Sequence, residues 1–438
     1  MDAARETLIQ ARQLGDALID LLNRAEVLQS IGLAEAESGM MAEAAETFQE
    51  SLKLAESIDI VAGPTPCPLT SSVEGRLDTL LQRLAQQMAK AGNISGSLRA
   101  VRSIVYEPSV RAETLRAIAE IQAQSGQTDA AGQVLKEVLV WFQVPPPERW
   151  PSCPDVRHLP PSGDLDAWRL SSIAKTQAKA GLTDEAAAMF GKALQLIPKI
   201  KDPAYLKAAG DSVAIGFLKA DVSKVRALST VAKVQHEAGF EAQSAATFEQ
   251  AMQAAMALGE PIHRAVLLSQ LGREQHQIGR DAEATRALDS ALEAARAVSG
   301  APRAYYLLTV LAARIEAGLL ADADATLAQA VAEVSQSIME GWRRVPLLYL
   351  IASVQEEMGR REDAVATYRE GLAAADAASD TFSMRSNALA QLIYGFPGAP
   401  KPRLIAETAQ ETARIVQSMA GELRRASALV AIASALPN

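Results

Sequence analysis

Residues 226–251, RALSTVAKVQHEAGFEAQSAATFEQA, decide the fold, because versions of this stretch recur along most of the 438-residue chain. Its glycine, Gly239, has counterparts at Gly39, Gly92, Gly126, Gly181, Gly279, Gly318 and Gly359, and one template surrounds them all. Eleven residues before each glycine stands a leucine: Leu28, Leu81, Leu115, Leu170, Leu228, Leu268, Leu307 and Leu348. Three positions later comes Ile31, Leu84, Ile118, Ile173, Val231, Leu271, Val310 or Ile351, followed in most units by a small residue such as Ala232 or Gly272. Apolar residues at i, i+3 and i+4 form one helical stripe. Beyond the glycine a second stripe is small at plus five, as in Ala284, large at plus nine, as in Phe248 or Tyr368, and small again at plus twelve, as in Ala251. Small residues admit a neighbouring helix closely and large ones fill the space between. A glycine between two such stripes suits the left-handed position that ends a helix and reverses the chain, so each unit is predicted to be a helical hairpin.

The order Leu228, Ala232, Gly239, Ala245, Phe248 and Ala251 resembles the tetratricopeptide repeat over residues 24–376. Leucine stands where the family more often has tryptophan, and the clean spacings of 39 to 41 residues exceed the family's usual repeat of about 34. The resemblance implies an all-α, right-handed α-solenoid, a superhelix of about eight to nine hairpins with capping helices. Four residues before the glycine, where the family often has an aromatic, stand Gln122, Gln177, Gln235, Gln275 and Gln355. They read either as a stacked amide ladder or as half-exposed helix formers.

In chain order, residues 1–22 read as an N-terminal capping helix. Units one to four occupy 24–200, with proline-rich insertions at about 59–75 and 143–164. Residues 201–221 read as a connecting helix, units five to eight occupy 222–376, and 377–438 hold a degenerate repeat closed by a capping helix with Arg425, Leu429, Ile432 and Ala433 in first-helix spacing. A repeat array adds hairpins without enlarging any one core, so length does not count domains here.

A net charge of −9 argues against a sequence-independent nucleic-acid binder, which needs a broad basic surface. No apolar run approaches a membrane span. The segment MDAARETLIQARQL lacks the basic start and apolar core of a signal peptide, which predicts a cytoplasmic protein, or a periplasmic or secreted one if the sequence is a trimmed mature form. Phosphate-binding, nucleophile-elbow, zinc-protease and calcium-loop motifs are all missing, so no catalytic residue, metal ligand or cofactor is nominated. His236 and His276 share a template position in adjacent units, on the order of 10 Å apart and too far to share a metal, and read as exposed face residues. Cys67 and Cys153, each before a proline in an insertion, are candidates for a disulfide if the loops bring them together. A Cys-Pro pair near His158 also resembles a haem-regulatory motif, which keeps a haem- or redox-responsive regulator as the alternative function.

In tetratricopeptide arrays the first helices line a concave groove, and the resemblance places its contact positions thirteen, ten, six, three and two residues before each glycine. Those positions give Ser171, Ser229 and Ser269 with Lys175, Lys233 and Arg273, bordered by Trp168, Lys179, Arg226, His236 and His276 and continued by Tyr305 and Tyr349. Such a basic strip would hold a carboxylate or acidic segment through charge-assisted hydrogen bonds. The family's carboxylate clamp also needs asparagines, and these are missing. The expected role is a non-catalytic scaffold or adaptor that binds a protein or peptide, probing neither nucleic acid nor membrane.

Overall fold

Leucine, alanine and glutamine fill most segments between the glycines, and such residues lose little freedom in a helix. In the computed structural model these segments are helices. The structure describes residues 2–58, 73–104, 108–143, 163–202, 219–300, 302–336, 344–376 and 412–413. Among them lie α1 (Asp2–Asp16), α2 (Leu21–Glu37), α3 (Met41–Glu56), α4 (Val73–Lys90), α5 (Ile94–Arg102), α6 (Pro108–Gln124), α7 (Thr128–Gln143), α8 (Gly163–Lys179) and α9 (Thr183–Leu196). There follow α10 (Ala220–Glu237), α11 (Glu241–Met256), α12 (Pro261–Gln277), α13 (Asp281–Arg296), α14 (Pro302–Glu316), α15 (Ala323–Gln336), α16 (Val345–Glu357) and α17 (Arg361–Asp376). No strand occurs among the described residues. The fold is all-α, a series of helical hairpins.

Every template glycine takes a left-handed φ, from 72° at Gly318 to 81° at Gly39 and Gly239. The backbone hydrogen bonds explain why. At Gly239 the glycine N–H donates to His236 O at 2.9 Å and the next N–H, of Phe240, donates to Gln235 O at 2.8 Å. This pair of bonds closes a helix whose next residue has turned left-handed. The second of the two bonds, which spans five residues, recurs at all eight turns, from Met40 to Glu35 through Arg360 to Gln355.

The stripes then meet as their spacing requires. Seven of the eight template leucines are buried, Leu170 being half-buried, and Phe48, Phe248 and Tyr368 are at most 1% exposed. Two hairpins have glycine in place of the small alanine. A Cβ at Gly32 would stand 2.6 Å from Phe48 Cε1, and one at Gly272 would stand 2.5 Å from Leu288 Cγ. There the large residue of the second helix lies directly on the backbone of the first.

The chain divides into two compact units, Met1–Ala208 with Thr230–Ser244, and Ala209–Ser229 with Ala245–Asn438. In the first unit α1 packs on α2, and the hairpins α2/α3, α4/α5, α6/α7 and α8/α9 follow. The first helices α2, α4, α6 and α8 lie side by side, each second helix also touching the first helix of the next hairpin. In the second unit α12/α13, α14/α15 and α16/α17 repeat the arrangement, with α12, α14 and α16 side by side. The hairpin α10/α11 contributes to both units. The cysteines Cys67 and Cys153 and His158 fall outside the described residues. So do most of the connecting segment 201–221, with 203–218 undescribed, and nearly all of 377–438.

Candidate partner-binding surface

Side-by-side packing of first helices gives two template positions a neighbour that a single hairpin does not reveal. The residue ten before one glycine meets the residue five before the next. Gln29 Nε2 donates to Gln87 Oε1 at 2.9 Å, Arg116 Nη1 to Thr176 Oγ1 at 3.4 Å, and Ser229 Oγ to the Glu274 carboxylate. The residue six before one glycine meets the residue two before the next. Lys179 Nζ donates to Glu120 Oε1 at 2.5 Å and Lys175 Nζ to Glu237 Oε2 at 2.7 Å, while Arg273 Nε lies 2.9 Å from Glu316 Oε2. The last is a charge contact without hydrogen-bond alignment.

These contacts place the expected strip residue by residue. Ser171, Ser229 and Ser269 are buried, Ser171 with its hydroxyl donating to Ala167 O at 2.7 Å. A position packed between neighbouring first helices is closed to a ligand, which is why the serines do not form the face expected of them. Lys175, Lys179 and Arg273 are half-exposed and paired with Glu237, Glu120 and Glu316. His236 Nδ1 stands 2.9 Å from Glu241 Oε2 and His276 Nδ1 2.7 Å from Asp281 Oδ1, so each imidazole spans its own turn to the start of the second helix. Arg226 and Lys233 are half-buried. Trp168 and Tyr305 are 39% and 37% exposed and hold the same template position, thirteen before the glycine. Tyr349 is fully buried, and burial pushes its phenol up to about 12.

Sequence reasoning missed the acids that complete the pairs: Glu120, Glu237, Glu274 and Glu316. For Glu120, Glu237 and Glu316 the signal was the sign relation between minus six in one unit and minus two in the next, whereas Glu274, which accepts from the neutral Ser229, carried no such sign. Burial would raise the Glu120 carboxyl, but bonds and charge from Lys179 and Arg116 outweigh it and hold the group below the usual carboxylate range. Arg116 is held above its ordinary value in turn, because Glu113 and Glu120 outweigh the effect of burial. Of the glutamines four before the glycine, four differ from both readings of the sequence and Gln355 agrees with the half-exposed one. Gln122, Gln177, Gln235 and Gln275 are buried and Gln355 half-buried, and among the described residues no hydrogen bond joins one to another. Their spacing along the chain puts each in a separate hairpin.

Among the described residues no group of three His, Cys, Asp or Glu side chains could hold a metal ion, and no helix is long and apolar enough to cross a membrane. Residues 345–377 match the family model of the tetratricopeptide repeat. No curated protein sequence matches the chain. Solved structures similar to it include Ton1535 of Thermococcus onnurineus, 16% identical over 91% of this chain and 98% of that one, with a TM-score of 0.29. A circular tandem repeat protein of novel repeat topology is 14% identical over 99% and 97%, with a TM-score of 0.29. Yeast Tom70 is 11% identical over 94% and 95%, with a TM-score of 0.25.

Proposed function

We propose that this chain, whose eighth hairpin is a tetratricopeptide repeat and whose other hairpins share its template, is a non-catalytic scaffold that binds a partner protein along its first helices. The observation that supports this reading most is the composition of that face. In the first unit the exposed Trp168 shares its helix with the half-exposed Lys175, and in the second Tyr305 holds the same register position. Aromatic anchors with adjacent charge are what protein interfaces concentrate. An acidic partner segment suits Lys233 best. Lys175 and Arg273 already face carboxylates within their own units.

The ion pairs also decide how the reading is tested. Reversing Lys175 or Arg273 would set Glu against Glu237 or Glu316 and disturb the hairpin junction along with the face. Lys233→Glu and Trp168→Ala avoid this. In pull-downs from the native cell, each is expected to reduce capture of the partner at least tenfold, with helical circular dichroism unchanged. Undiminished capture by both variants would exclude this face as the binding surface.

A further inference from the structure

α1 precedes the first hairpin, where a cap would stand, yet its sequence is that of a second helix. Aligned on α11 and the turn behind it, Thr7, Gln10, Ala11, Gln13, Ala17 and Leu18 coincide with Thr247, Gln250, Ala251, Gln253, Ala257 and Leu258. Leu8 then holds the register of Phe248, nine after the glycine, and Ala11 that of Ala251, twelve after it. The packing agrees. α1 lies on α2 as α3 lies on α4, and its Arg12 reaches α3, donating to Thr47 Oγ1 at 3.1 Å and pairing with Glu50. In the eight hairpins the residue at plus nine is at most 2% exposed and the residue at plus twelve is buried. Their own first helices cover them, as Gly32 covers Phe48 and Ala25 O accepts from Ser51 Oγ. Leu8 and Ala11 are half-exposed instead. With Val27, Ser30 and Ile31 of α2 they line an open cleft of about 470 Å³. Asn23 and Glu26, which complete the lining, already bond Arg76 of α4 at 2.7 and 2.6 Å, so what the cleft offers a ligand is mainly apolar. Its walls are those of a first-helix site, and one hairpin's apolar face needs a neighbour to cover it.

We propose that this cleft takes a first helix from a second copy of the chain, its residues 425–438. In sequence that segment carries the stripe the site requires, Leu429, Ile432 and Ala433 at the spacing of Leu228, Val231 and Ala232. Seated in first-helix register, Ala433 meets Leu8 as Gly272 meets Leu288. The pairings that join neighbouring first helices, ten with five and six with two before the glycine, become Val430 with Ala34 and Ser434 with Glu37. One pair is apolar on both sides, the other sets a hydroxyl donor against a carboxylate, and no like charges meet. Hairpins add in one direction along the chain. A second copy seated this way keeps that direction, its segment standing before α1 as each first helix stands before its own second helix. Because the interface joins different surfaces of the two copies, it is heterologous and passes from copy to copy.

Size-exclusion chromatography with light scattering of the full chain, and fluorescence anisotropy with a labelled peptide of residues 422–438, test the interface. The wild type is expected to gain mass as its concentration rises and to bind the peptide. Ala11→Glu sets a charge in the cleft from a half-exposed position. It should hold the chain at monomer mass and weaken peptide binding about tenfold or more. Leu429→Asp spoils the donated stripe and should also stay monomeric, yet bind the wild-type peptide undiminished. Mixed together, the two variants should form a dimer and nothing larger, since one keeps the segment and the other keeps the cleft. If Ala11→Glu loses helical circular dichroism, Ser30→Arg, exposed on α2, makes the same test. The proposal falls if the peptide does not bind, if the wild type stays monomeric at every concentration, or if Leu429→Asp associates as the wild type does. A monomer whose Tm drops equally with Ala11→Glu and Leu429→Asp would seat the segment in its own chain's cleft and overturn the second copy as occupant.

Discussion

Hairpins six and seven obey one template yet turn differently. Gly279 and Gly318 have nearly the same φ, 77° and 72°. After Gly279 the second helix restarts two residues later, at Asp281; after Gly318 it restarts five residues later, at Ala323. The sequence behind the first turn, Arg280-Asp281-Ala282-Glu283, puts acids where a helix N-terminus favours them, and His276 spans the turn to Asp281. The sequence behind the second begins Leu319-Leu320-Ala321-Asp322, and Asp322 takes φ 59°, the one positive value outside glycine among the described residues. Aspartate tolerates that region better than most residues. Arg314 lies 3.5 Å from Ala321 O and bonds Asp289, bracing the longer turn from the side. The glycine thus fixes that the chain reverses, and the residues after it fix where the next helix begins.

The comparison can be broken at three points. Leu268→Ala and Leu307→Ala remove equivalent buried side chains and should each cost about 3 kcal/mol in urea denaturation. A clear inequality would mean that the two cores differ as well as the turns. Arg314→Met leaves Asp289 and the 319–322 turn without their brace and should cost about 2 kcal/mol. Amide exchange across that turn should quicken, while the turn at 279–281 stays unaffected. The smallest effects concern backbone alone. Gly279→Ala should cost about 1–2 kcal/mol, because alanine in a left-handed position is strained. Asp322→Gly should be neutral or stabilising by less than about 1 kcal/mol, since glycine adopts positive φ freely.

Periodicity made the hairpins legible. The glycines, the leucines and the large residues at plus nine each answer to contacts inside one hairpin, and a local pattern encodes local contacts. The binding face was less legible, because it depends on what stands beside each first helix. Ser171, Ser229 and Ser269 looked outward-facing on a lone hairpin and are buried once the next first helix is in place. Lys175 and Arg273 looked like open cations and have carboxylates from the following hairpin against them. The five glutamines could not be resolved from spacing alone. Gln122, Gln177, Gln235 and Gln275 are buried, and the acceptor left without a donor among the described residues is invisible to any residue count.

The charges between first helices have a consequence for how such a gene can change. Glu120 pairs with Lys179, and Lys175 with Glu237, so the fourth hairpin offers a positive residue to both of its neighbours. Excising it as one repeat would close the array between the third and fifth hairpins and bring Glu120 against Glu237. Like charges would then meet where opposite ones now do. Repeats of nearly interchangeable backbone are in this way made to hold their order, and an unequal crossover that drops the fourth would leave a chain with a repulsive seam.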